Sequence, residues 1–213
     1  MNAPDLVELK ENDYISIRLM YASPYNMAGV DAYHHFGLGE RCFARPELAD
    51  TLTRLEQPLK QRRLKLKIFD AYRPPAAHDY LSARVPVKGL FAETAELSMH
   101  CRGIAVDVCL TDENNKELLF PTAVDAYTPE YAEQLSQGIT EPYFRHLQKA
   151  DYACADLPRE AVQNRSLLCS LMEKAGFEPM QSEWWHFSLP GANRYNVIDI
   201  PMNAAEKLEF SFF

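Results

Sequence analysis

Residues 14–19, Tyr-Ile-Ser-Ile-Arg-Leu, alternate apolar and polar positions, the two-residue period of a half-buried strand. The period changes over 46–63. There Leu48, Leu52, Leu55 and Leu59 recur at steps of four, three and four, which predicts one helix face with a kink at Pro58. Leu64, Leu66 and Ile68 then share one side of a strand over 64–69. Asp70-Ala71-Tyr72-Arg73-Pro74-Pro75 ends that strand, and Pro75 suits the first turn of a short helix reaching Leu81. A further strand places Ile104, Val106, Val108 and Leu110 on one face, and Ala105, Asp107 and Cys109 on the other.

Residues 111–157 carry Pro121, Pro129 and Pro142 among scattered tyrosines, which predicts loops and short helices. The clearest helix covers 158–175, with Leu168, Leu171, Met172 and Ala175 on one face and Gly176 as its stop. Strands are expected over 183–189 and over 195–200. Strands and helices do not alternate regularly, so the pattern predicts an α+β fold with a mainly antiparallel central sheet flanked by helices. No repeat and no Pro/Gly/Ser-rich linker divides the chain, which reads as a single domain over 1–213.

Composition narrows the function classes. The 213 residues are 47% hydrophobic and 24% charged, a globular balance that can build a core without covalent staples. With 22 basic and 30 acidic side chains, the net charge is −8. Such a surface repels phosphate backbones and argues against nucleic-acid partners. The five cysteines are odd in number and show no C-x-x-C spacing, which points to a reducing compartment rather than a disulfide framework. No stretch reaches the roughly 20 apolar residues of a membrane span. Residues 1–5 offer no basic or apolar leader, so the cytoplasm is expected; the periplasm would require a leader already removed.

Three segments carry the chemistry. The first, 98–107, sets His100 and Asp107 seven residues apart with Gly103 between. Seven residues along an unbroken strand give opposite faces, and a turn at Gly103 corrects the parity. Asp107 lies in an apolar strand and needs a cationic partner, Arg102 or another base. The second is Ser182-Glu183-Trp184-Trp185-His186, a carboxylate and an imidazole three apart among aromatics. Such surroundings raise a glutamate pKa and make it a better proton shuttle. Taken together, His100, Asp107 and His186 are the three-ligand kind of set found in catalytic zinc sites, although no H-E-x-x-H occurs. The third is Arg73, at a strand end and fixed by Pro74; it suits an oxyanion, or else an ion pair with Asp70 or Asp79. His34 and His35 read as a packed turn in an aromatic loop or else a pocket rim, and His78 and His146 as helix-surface residues. The cysteines read as small core residues.

The patterns Ser-x-His-x-x-Gly-x-Ala-x-Asp at 98–107, Glu-Trp-Trp-His at 183–186 and Asp-Ala-Tyr-Arg-Pro at 70–74 resemble the D-alanyl-D-alanine dipeptidases. These belong to the wider zinc D-Ala-D-Ala peptidases, whose fold the Hedgehog signalling domain shares. The resemblance runs over about 14–201. It implies a Hedgehog/DD-peptidase-like fold and one zinc ion per chain on His100, Asp107 and His186. It also implies Glu183 as general base and then acid, and Arg73 as stabiliser of the tetrahedral intermediate. Ser98 and Tyr21 are its further candidates for holding the dipeptide.

Two stretches depart from the family pattern: Asn26-Met27-Ala28-Gly29, where Asn-Phe-Thr-Gly is usual, and Phe120-Pro121-Thr122-Ala123-Val124-Asp125. Segment 78–97 is short. If 120–125 shapes the pocket, the second residue of the substrate can differ from D-Ala. The implied activity is hydrolysis of D-Ala-D-Ala or a related D-containing dipeptide. The alternatives are a D,D- or L,D-carboxypeptidase trimming peptidoglycan stems, and a non-catalytic zinc-binding domain, which would have no need of Glu183.

Overall fold

The computed structural model describes residues 5–85 and 90–200. The leader reading of residues 1–4 and part of segment 78–97 lie outside them. A small sheet pairs β1 (Val7–Leu9) with β3 (Cys42–Ala44) in antiparallel register. The main sheet has five strands. They are β2 (Ile15–Ile17), β4 (Leu64–Asp70), β5 (Ala105–Asp112), β7 (His186–Ser188) and β6 (Glu178–Pro179), in that spatial order. Only β2 and β4 run parallel; every other neighbouring pair is antiparallel. The α+β expectation with a mainly antiparallel sheet therefore holds.

The central strand β5 is buried along nearly its whole length. That explains why Ala105, Val106, Val108, Cys109 and Leu110 are apolar or small on both faces. It also makes Asp107, 4% exposed, a carboxylate embedded in the middle of the core sheet.

After the one-turn α1 (Ala32–His35), the helix predicted over 46–63 is two helices, α2 (Pro46–Thr53) and α3 (Glu56–Lys60). The break falls at Arg54 and Leu55, before Pro58. Pro58 instead occupies the first turn of α3, where its missing N–H is not needed. Leu48, Leu52, Leu55 and Leu59 are nevertheless all buried, so the apolar stripe survives the break. Next comes α4 (Pro75–Ser82), opened by Pro75 as expected. Among the described residues, 111–157 hold short helices, α5 (Pro129–Ser136) and α6 (Glu141–Leu147), joined by turns and loops.

The long helix α7 (Arg159–Ala175) ends at Gly176, whose φ of 112° only glycine adopts without strain. Its N–H reaches the Met172 and Glu173 carbonyls and closes the helix end. Residues 195–200 form no strand. They run as an irregular segment tied down by Tyr72, whose hydroxyl donates to Ile198 O (2.8 Å). The strand expected over 183–189 shortens to β7, because the Glu183 N–H turns back onto Met180 O (3.3 Å). No described helix is long and apolar enough to cross a membrane.

Candidate metal centre

Strand register builds the site. Asp107 on β5 faces His186 on β7, and Asp70 at the end of β4 faces Asp107 from the other side. Cross-strand partners present their side chains on one face, so a row of three polar groups crosses an otherwise apolar sheet. His100 joins them from a 3-10 turn that precedes β5. Gly103, with φ 69°, ends that turn in the left-handed region, as the parity argument requires. A Cβ there would sit 3.0 Å from Leu6 Cδ2 and 3.3 Å from Arg45 Cγ.

The contacts at the centre are close. His100 Nε2 lies 3.2 Å from His186 Nδ1 and 3.3 Å from Asp107 Oδ2, and His186 Nδ1 lies 3.1 Å from Asp107 Oδ1. Ligands about 2.0–2.1 Å from a tetrahedral zinc are about 3.3–3.4 Å from one another, so these three side chains already hold the edges of such a tetrahedron. The donor set, two imidazole nitrogens and one carboxylate, also suits that ion. His100 Nδ1 meets the Ala71 carbonyl at 2.8 Å. This leaves its Nε2 lone pair for a metal, a supporting bond typical of ligating histidines. His186 turns Nδ1 toward the other two donors, while its Nε2 is buried with no hydrogen-bond partner among the described residues.

Charge follows the same geometry. Burial opposes the charge on His100, but Asp107 and Asp70 outweigh it and push its pKa up to about 9. Burial would raise Asp107, yet the two histidines hold it well below the usual carboxylate range. Burial lowers the His186 pKa against the opposing pull of Asp107. The pair that satisfies Asp107 is thus His100 and His186. Arg102 turns away to the backbone carbonyls of Tyr195 and Glu96.

A cavity of about 120 Å³ opens on this centre. All seven side chains singled out from the sequence line it: Tyr21, Arg73, Ser98, His100, Asp107, Glu183 and His186. Glu183 precedes His186 by one turn, and its O accepts the His186 N–H at 3.1 Å. The turn is fixed by Trp184, which stacks flat on Phe120 at 4.1 Å and donates from Nε1 to Thr122 Oγ1 at 3.0 Å. Burial, reinforced by the charges of Asp107 and Asp125, pushes the Glu183 pKa up to about 8. Arg73 is buried, not on the surface, and its guanidinium pairs with Asp70 at 2.6 Å. Its charge lies 4.7 Å from both the Tyr21 and the Phe91 ring centres.

One cavity residue was missed as a candidate. Asp125 is buried in the wall and accepts a hydrogen bond from the Tyr21 hydroxyl. Burial and the nearby Asp107 push its pKa up to about 6. Asp125 and Ala126 both adopt left-handed backbone, φ 55° and 50°, a strain that clusters at functional sites. Tyr143 steadies the segment by donating to Asp125 O at 3.0 Å. Its signal in the sequence is the acidic residue that ends the Phe-Pro-Thr-Ala-Val stretch.

The remaining histidines stand apart from the centre or differ from expectation. His34 and His35 end a short helix rather than a turn and are exposed; His34 pairs with Asp31, and His35 packs its ring on Tyr80 and Phe36. His78 is no helix-surface residue: it is 1% exposed and its Nε2 contacts Ala92 O at 2.9 Å on the cavity wall. His146 stacks on Tyr131 away from this cavity.

A family model described as D-ala-D-ala dipeptidase matches residues 146–204, the portion that carries Glu183 and His186. The D-alanyl-D-alanine dipeptidase of Escherichia coli (strain K12) is 28% identical over 184 residues, 86% of this chain and 83% of the relative. The D-alanyl-D-alanine dipeptidase of Enterococcus faecium is 27% identical over 205 residues, 85% of this chain and 90% of the relative. The chain is similar to the D-Ala-D-Ala dipeptidases along most of its length. That likeness spans both the metal-ligand candidates near 100–107 and the Glu-Trp-Trp-His turn, and it supports a peptidase. A His-Asp-His group able to hold a metal agrees with it.

Proposed function

We propose that the chain is a single-domain zinc dipeptidase that hydrolyses D-Ala-D-Ala or a related D-containing dipeptide. The observation that carries this reading is the spacing of His100, Asp107 and His186, which matches the edges of a zinc tetrahedron, with Glu183 on the wall of the same cavity. His100, Asp107 and His186 would hold the zinc ion, which would supply a water of pKa lowered toward about 7 and a positive charge for the scissile carbonyl oxygen.

The chain's own groups supply the rest. Glu183, on the wall of the same cavity, accepts the proton of the attacking water and passes it to the leaving amine. Arg73 meets the negative charge that grows on the carbonyl oxygen in the transition state. The acidic wall formed by Asp125, whose carboxylate already holds Tyr21, suits the free ammonium of a dipeptide. Ser98, buried on the same wall, is positioned for the other end of the substrate.

The acidic wall favours a free dipeptide over a tethered stem, because only the free dipeptide brings an ammonium for Asp125 to meet. The substrate class links the activity to cell-wall peptide turnover. The test is hydrolysis of free D-Ala-D-Ala beside a stem peptide ending in D-Ala-D-Ala, before and after chelation and zinc restoration. Zinc-dependent cleavage of the free dipeptide alone is expected. Cleavage of the stem alone favours the carboxypeptidase, and zinc binding without cleavage of either favours a binding domain.

A further inference from the structure

Asp70 lies directly behind the cavity and belongs to neither the metal set nor the base. It is the last residue of β4, just past an irregularity in the β4–β5 register between Ile68 and Asp70. It is 1% exposed. Its Oδ2 accepts from Arg73 twice, from Nε at 3.0 Å and from a terminal guanidinium nitrogen at 2.6 Å. Its Oδ1 accepts from the Tyr33 hydroxyl and from the Ala71 N–H at 2.9 Å. Oδ2 also lies 3.4 Å from His100 Nδ1.

A carboxylate this fully used cannot rotate without breaking several bonds. Tyr33 is itself fully buried, and its ring packs edge-on against Tyr21, so its hydroxyl is held in turn. Arg73 has two ring faces beside it, and Asp70 is the acid to which it is bonded. The guanidinium direction is therefore set from behind by Oδ2, and the carboxylate that carries it is held through its other oxygen, Oδ1, by Tyr33 and the Ala71 N–H.

We propose that Asp70 and Tyr33 are positioning residues that aim the Arg73 guanidinium into the cavity. This rests on the role given above to Arg73. Misplacing a transition-state donor by a fraction of an ångström loses rate with little change in ground-state binding.

The experiment compares Tyr33→Phe and Asp70→Asn, each alone and in an Arg73→Ala background, in zinc-loaded protein hydrolysing D-Ala-D-Ala. Zinc content and melting temperature are measured for every variant. Asp70→Asn is expected to lower kcat about 10- to 100-fold and Tyr33→Phe about 3- to 10-fold, with KM within about twofold and one zinc retained. In the Arg73→Ala background each should cost less than about twofold more. Full multiplicative losses in that background overturn the proposal, as does a loss that tracks zinc content instead of kcat. If Asp70→Asn fails to fold, Tyr33→Phe and its pair with Arg73→Ala decide alone. A wild-type chain that binds zinc and leaves D-Ala-D-Ala uncut overturns the proposed function, and this proposal with it; an active wild type with multiplicative variants overturns this proposal only.

Discussion

Replacing Glu183 by Gln should make the metal-free protein more stable and the zinc-loaded protein nearly inert. The side chain keeps its shape but loses its charge and its capacity to accept a proton. In the metal-free fold its pKa stands at about 8 against an ordinary 4.5, because burial and the charges of Asp107 and Asp125 disfavour the carboxylate. The unfolded chain releases this proton near pH 4.5 and the folded chain holds it to about 8. The folded state therefore binds more protons over that interval, and stability falls as pH rises. Each pKa unit corresponds to about 1.4 kcal/mol. Part of the residue faces the cavity, where water screens the charge, so a gain of about 2 kcal/mol at pH 8 is expected on substitution, well below the full displacement. Turnover, by contrast, loses a general base, about 10²- to 10⁴-fold in kcat. Urea unfolding of the chelated protein at pH 5 and pH 8 measures the first effect, and D-Ala-D-Ala hydrolysis at matched zinc content the second. A variant equally stable at pH 8, or one turning over at a near-native rate, refutes the reasoning about this carboxylate.

Three further outcomes follow from the same geometry. Arg73→Ala should lower kcat about 10²- to 10³-fold with little change in KM, and steady-state kinetics showing an effect on KM alone would make Arg73 a substrate clamp. The metal-free protein should melt at progressively lower temperature from pH 6.5 to pH 9. His100 keeps its proton to about 9 when folded but only to 6.5 when unfolded, so its stabilising charge is complete below 6.5 and gone above 9. Zinc displaces that proton, so calorimetry in buffers of different ionisation enthalpy should find at least about one proton released per zinc at pH 7.5, and none released would contradict the assignment. Gly103→Ala should destabilise the fold by at least about 1 kcal/mol in urea, because its φ is 69° and the added Cβ would crowd Leu6; unchanged stability would remove the turn from the construction of the site.

The site was more legible in the sequence than parts of the fold around it. His100, Asp107 and His186 stood out because polar groups in apolar strands need partners, and the partners they find are one another. The turn at Gly103 was legible because parity demanded it. Asp125 was not, since nothing local marks a buried aspartate in a loop; its position depends on Tyr143 and Tyr21, distant in the chain. His78 looked like a surface residue because α4 is short, and it is the packing of Ala92 and Phe91 over that helix that buries it. The break between α2 and α3 carries no proline at the break itself, so periodicity alone read through it. The three-residue strands β1 and β3 are too short to show a period, and the small sheet they form exists through pairing rather than propensity.

Anomalous diffraction at the zinc edge, from crystals of the zinc-loaded protein, tests the central claim most directly. One strong peak is predicted, within about 2.0–2.2 Å of His100 Nε2, His186 Nδ1 and an Asp107 carboxylate oxygen. A peak elsewhere, or none with these three side chains in place at full zinc saturation, would contradict it.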